Sequence, residues 1–146
     1  ITPEGKMYTG GSNRGWGSWG TKLDSVERID WTGKMPFEIH QMRARSDGFE
    51  LTFTRPINPA SAKPSSFSCS AYTYRYSKGY GSPELENIEP EIEVASVAAD
   101  GLSIRIKLTP LTKGHVHELA APGLRSAEGL PLLHNTAYYT LNEIPE

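Results

Sequence analysis

The sequence predicts an all-β fold, an antiparallel β-sandwich, on three observations. Short segments alternate apolar and polar residues with a period of two. Glycine and proline turn signals separate these segments at fairly regular spacing. Helix signals are nearly absent. In "FELTFT", Phe49, Leu51 and Phe53 alternate with Glu50, Thr52 and Thr54, so one face of a strand is apolar and the other polar.

Taken along the chain, "SVERIDW" (25–31) and "IHQMRAR" (39–45) are strand candidates, and Asp47-Gly48 marks a hairpin turn before "FELTFT". "TRPINPAS" ends that strand and turns the chain through Pro56 and Pro59. "FSCSAYTY" reads as a strand. "SPELENIEPEI" (82–92) carries a capping serine, Pro83 in the first helical position and early glutamates, which predicts one or two helical turns stopped by Pro90. "EIEVASV" (91–97) and "SIRIKL" (103–108) are joined through Asp100-Gly101, a second hairpin signal. "HVHEL", with Val116 between His115 and His117, and "AYYTL" (137–141) complete the series. The expected core is Phe49, Leu51, Phe53, Ile104, Ile106, Leu108, Val116 and Leu119.

The chain has 146 residues, enough for one domain with a real core. Its 37% apolar content places it among globular chains, and a net charge of −2 gives no general attraction to nucleic acid or anionic lipid. No apolar run approaches the ~20 residues needed to span a bilayer. The chain begins at Ile1, which reads as a mature or excised fragment. Cys69 is its single cysteine, so an intrachain disulfide and a paired-cysteine zinc site are both excluded. On a strand it reads as a small buried hydrophobe.

Five of the eleven residues in "GGSNRGWGSWG" (10–20) are glycine. A phosphate-cradling loop requires a helix after it, and strand-like "TKLDSVERIDW" follows instead. Trp16 and Trp19 suit either stacking on sugar rings or anchoring the loop, with Arg14 beside them. Tyr72, Tyr74 and Tyr76 recur at every second position of "AYTYRYSKGYG", which places them on one face of a strand. Facing inward they are core; facing outward they form, with Tyr80, an aromatic strip for protein or carbohydrate contact. His115 and His117 share a strand face and are close enough to share a metal, but no third ligand has convincing spacing. His40 and His134 are isolated, and the acids of "PELENIEPEIE" read as a solvated stretch.

From Ile39 onward the order of signals resembles bacterial immunoglobulin-like domains of the type appended to secreted proteins. Ile57, Asn58, Pro59 and Ser61 fit their first turn pattern. Asp100, Gly101, Leu108, Gly114, Leu119, Gly123, Leu124, Gly129, Pro131 and Leu132 fit the later ones. Val116-His117 stands where that pattern often has tyrosine. The N-terminal piece, through Met7, Tyr8, Asn13 to Ser18, Gly20, Arg28, Trp31 to Lys34, Pro36 and Phe37, resembles the last blade of quinoprotein-type propellers. These are sugar-dehydrogenase-like exported proteins, often with an attached c-type cytochrome. Ser25-Val26 departs from their Gly-Leu.

Together the resemblances imply an immunoglobulin-like antiparallel sandwich over residues 37–146, preceded by a glycine-rich extension or blade remnant over residues 1–36. The implied role is a non-catalytic accessory or interaction module of a larger exported redox protein, periplasmic or extracellular. Its implied partners are other domains of the parent, with self-association or carbohydrate as further possibilities. No catalytic, metal or cofactor residue is carried over, because in such families those groups lie on propeller loops or the cytochrome. The alternative is a carbohydrate-binding module using Arg14, Trp16, Trp19, Tyr72, Tyr74, Tyr76 and Tyr80.

Overall fold

The computed structural model describes residues 1–12 and 22–146. The chain forms two compact units, Ile1–Lys34 and Met35–Glu146. In the first, β1 (Met7–Ser12) pairs antiparallel with β2 (Asp24–Ile29), from Met7 opposite Ile29 to Ser12 opposite Asp24. Almost every side chain of this hairpin is exposed, including Met7, Tyr8, Val26 and Ile29. A two-stranded ribbon has no interior of its own.

The second unit is an antiparallel β-sandwich of two four-stranded sheets. One sheet contains β3 (Ile39–Arg45), β4 (Gly48–Phe53), β7 (Glu91–Val97) and β8 (Ser103–Thr109), in the order β3-β4-β8-β7. The other contains β5 (Ser68–Thr73), β6 (Leu85–Ile88), β9 (His115–Ala120) and β10 (Thr136–Leu141), in the order β10-β9-β5-β6. The alternation read in the sequence decides which faces meet. Phe49, Leu51 and Phe53 of β4 and Ile104, Ile106 and Leu108 of β8 are buried in the core. Cys69, Leu119 and Leu141 face them from the other sheet.

The chain is tied into this unit before β3 begins. Phe37 is buried against Phe53, with ring centroids 5.7 Å apart. Thr54 laces the same segment, its Oγ1 donating to Pro36 O (2.7 Å) and accepting from Glu38 N–H (2.9 Å). After β4, "RPINPAS" serves three purposes. Ile57 is buried in the core, Asn58 Oδ1 caps a 3₁₀ turn by accepting from Ala60 N–H (3.0 Å), and Ser61 Oγ accepts from Arg125 N–H (3.0 Å). The motif therefore pins a long connection to a loop 64 residues away.

Three local expectations are corrected. The β3–β4 turn consists of Ser46 and Asp47, because Gly48 already pairs with Arg45. Glycine is required there by close approach, since a Cβ on Gly48 would lie 2.1 Å from Ile106 O. "SPELENIEPEI" is not helical. It supplies β6 and the start of β7, linked through Glu89 and a buried Pro90. Ile88 pairs with Ala71 and Ile92 with Leu108, so tertiary pairing outweighs the local capping pattern. Ser82 Oγ instead accepts from Arg75 N–H (3.1 Å). Finally, Val116 is not core. Leu119 faces inward, and the two-residue period then turns His117 and His115 inward and Val116 outward.

Candidate functional site

Tyr72 is the last tyrosine that β5 holds, because the strand ends at Thr73. The reading of Tyr72, Tyr74 and Tyr76 as a single strand face is therefore corrected. Tyr72 points away from Cys69 and Ala71, opposite Val116, and is nevertheless buried. Tyr74 packs against it edge-on, with ring centroids 5.5 Å apart and planes at 78°. Burial, the Tyr74 hydroxyl and nearby carboxylates push the Tyr72 phenol up to about 12. Tyr76 and Tyr80 are fully exposed in the loop beyond. The four rings form no coplanar strip. Arg14, Trp16 and Trp19 lie outside the described residues.

On the inner face of the same sheet lie the two histidines. His117 is wholly buried, and neither ring nitrogen has a hydrogen-bond partner. The Phe49 ring meets it edge-on at 5.2 Å. Burial, reinforced by neighbouring His115, holds its imidazole below the ordinary histidine value. His115 Nδ1 lies 3.3 Å from Lys113 O, and its Nε2 is 3.7 Å from Glu86 Oε2. The shared face read from the sequence is present. Among the described residues, however, no three histidine, cysteine or acidic side chains converge to hold a metal. Burial and the Glu118 charge push the Cys69 thiol up to about 12, so it stays protonated and is no nucleophile at neutral pH.

An open cleft of about 440 Å³ lies where β3 and β10 approach one another. Glu38, His40, Gln41, His134, Thr136 and Tyr138 supply its polar lining. Glu38 grips His134 twice: Oε1 lies 2.6 Å from Nδ1, and Oε2 accepts from the His134 backbone N–H (3.0 Å). The Tyr138 ring stands beside Glu118, whose charge raises its phenol above the ordinary value. Sequence reading missed this cleft. Its two sides are 96 residues apart and neither carries a motif, so only the packing of the two sheets, with edge strands β3 and β10 on the same side, brings them together. The Glu38–His134 contact is a structural clamp.

No family model matches the chain, and no curated protein matches it. Solved structures do. The chain is similar to the N-terminal part of the bacterial S-layer protein SbsC, with a TM-score of 0.57 and 22% identity over 74% of this chain and 24% of that one. A longer SbsC fragment aligns with a TM-score of 0.56 and 22% identity, over 74% of this chain and 14% of that one. The chain thus spans a quarter or less of the structures it matches. The likeness establishes the β-sandwich fold. It also corrects the resemblance to quinoprotein dehydrogenases, since the neighbours are S-layer domains and neither family models nor curated proteins support a redox family. No helix among the described residues is long and apolar enough to cross a membrane.

Proposed function

We propose that this chain is a non-catalytic structural module of a larger extracellular, cell-surface protein. The observation that carries the reading is the match of its sandwich to part of the S-layer protein SbsC, in structures several times its length. A core closed by Phe37 supports a load-transmitting or spacing role. In this reading its partners are neighbouring domains or further copies. In this reading residues 37–146 form the module proper and residues 1–36 a glycine-rich N-terminal extension, the division that the resemblance to immunoglobulin-like domains implied. Tyr74, Tyr76 and Tyr80, with Arg14, Trp16 and Trp19, are offered as protein-contact residues, and buried Tyr72 packs against Tyr74. Sugar stacking is the weaker reading, because platforms for sugar rings are flat and the Tyr72 and Tyr74 planes cross at 78°.

Two measurements test this. Residues 35–146 produced alone should unfold in one cooperative transition, within about 1 kcal/mol of the whole chain, because the exposed β1–β2 hairpin contributes little core. An antibody raised against the module should label intact producing cells. Labelling only after permeabilisation would refute the surface location.

A further inference from the structure

The sandwich has four edge strands, and three are protected against pairing with another chain. β3 carries Arg43 and Arg45 and a bulge between Ile39 and Gln41. β6 is four residues long, holds Glu86 at φ 54° and pairs irregularly with β5. β7 carries Glu91 and Glu93 and a bulge between Val94 and Ser96. β10, "TAYYTL", has none of these devices: no charge, no proline, no glycine and an unbroken six-pair register with β9. Apart from Leu141 O, which accepts from Gly114 N–H (2.7 Å) just before β9, and Thr140 O, which accepts from Asn142 N–H (3.2 Å), its backbone makes no hydrogen bond outside the β9 ladder among the described residues. The open cleft runs beside it.

We propose that β10 is a self-association edge whose occupant is β10 of a second copy of this chain, joined antiparallel about a two-fold axis. The proposal deepens the structural-module reading and rests on it. A two-fold perpendicular to the sheet keeps outward residues outward, so residues opposite one another must share a face. Tyr138 and Thr140 face out, whereas Tyr139 and Leu141 face the core. Centring the axis on Tyr138 satisfies this along the strand. Tyr138 meets its own counterpart, Thr136 meets Thr140, and small Ala137 meets large Tyr139. Tyr–Tyr and Thr–Thr are favourable cross-strand pairs. The charged groups beyond the strand ends are already paired within each chain, so neither end opposes the pairing with a lone charge. The end bearing Glu38 and His134 comes against the end bearing Lys113 and Glu143, themselves 2.7 Å apart. A six-residue strand buries less than the ~800 Å² per partner of a standard stable interface, so the pairing is weak in isolation and suited to copies held at high local density.

Cysteine trapping tests the register. Tyr138 is 61% exposed, so Tyr138→Cys is compatible with the fold, and Cys69 is buried. The axis places the two Tyr138 Cα atoms about 4.5–5.5 Å apart, within disulfide reach. Mild oxidation of the folded variant is expected to give a covalent dimer. Lys107→Cys, on the inner strand β8, is expected to remain monomeric. Sedimentation of the unmodified chain at rising concentration is expected to show a dimer that Tyr138→Lys, folded by circular dichroism, abolishes. A monomeric Tyr138→Cys, equal cross-linking of Lys107→Cys, or identical sedimentation of the chain and Tyr138→Lys would each overturn the proposal. None of these outcomes depends on where the protein resides, so failure of the surface labelling is read separately.

Discussion

Replacing Phe53 with alanine is expected to lower the free energy of unfolding by about 3–5 kcal/mol. Phe53 is only 5% exposed, closes the inner face of β4, and packs its ring on Phe37. Truncation opens a cavity that cannot collapse readily, because Phe37 is held in place by the Thr54 hydrogen bonds and by Leu133 N–H donating to Phe37 O (3.1 Å). Such a loss is a large share of the ~5–15 kcal/mol that holds a domain of this size together. Urea unfolding followed by circular dichroism measures it. Tyr76→Ala, at a fully exposed ring, provides the comparison and should stay within about 0.5 kcal/mol of the parent. A Phe53→Ala variant losing less than about 1 kcal/mol would contradict this account of the core.

Acidification is expected to destabilise the sandwich through His117. The groups facing it from the packed elements are His115 on its own strand, Tyr139 on β10, Cys69 on β5 and the Phe49 ring from β4. Glu118, the next residue, points to the opposite face of β9, and Glu86 lies by His115. The folded imidazole is held below its ordinary value of 6.5, so the unfolded chain binds a proton that the folded chain refuses. Stability from this group is therefore complete above about pH 6.5 and falls as pH drops toward the depressed folded value. Within that window each pH unit costs up to about 1.4 kcal/mol. Urea midpoints at pH 7.5 and pH 5 give the measurement. His117→Leu should flatten this part of the profile, and should cost little at pH 7.5 because it removes two unsatisfied buried nitrogens. An unchanged slope in His117→Leu would assign the acid sensitivity to other groups.

The period-two pattern of "FELTFT" and "SIRIKL" by itself determined two central strands and the apolar faces they bury, because alternation is a property of neighbouring residues in one extended chain. "RPINPAS" was legible for the same reason, since its proline, asparagine and serine act mostly within their own turn. Where two local patterns competed, the tertiary structure decided. "HVHEL" offers valine or two histidines to the core, and Leu119 in register with Cys69 and Ala137 selects the histidines. "SPELENIEPEI" holds helix caps and strand alternation together, and only partners from β5 and β8 choose the strand. The tyrosines show how far a periodicity extends: it held Tyr72 and lapsed at Thr73, where the β9 partner register also stops. The Glu38–His134 clamp, the cleft beside it and the unguarded β10 edge were not legible in the sequence. Each is a relation between segments distant along the chain, and strand order, which no single segment encodes, creates it.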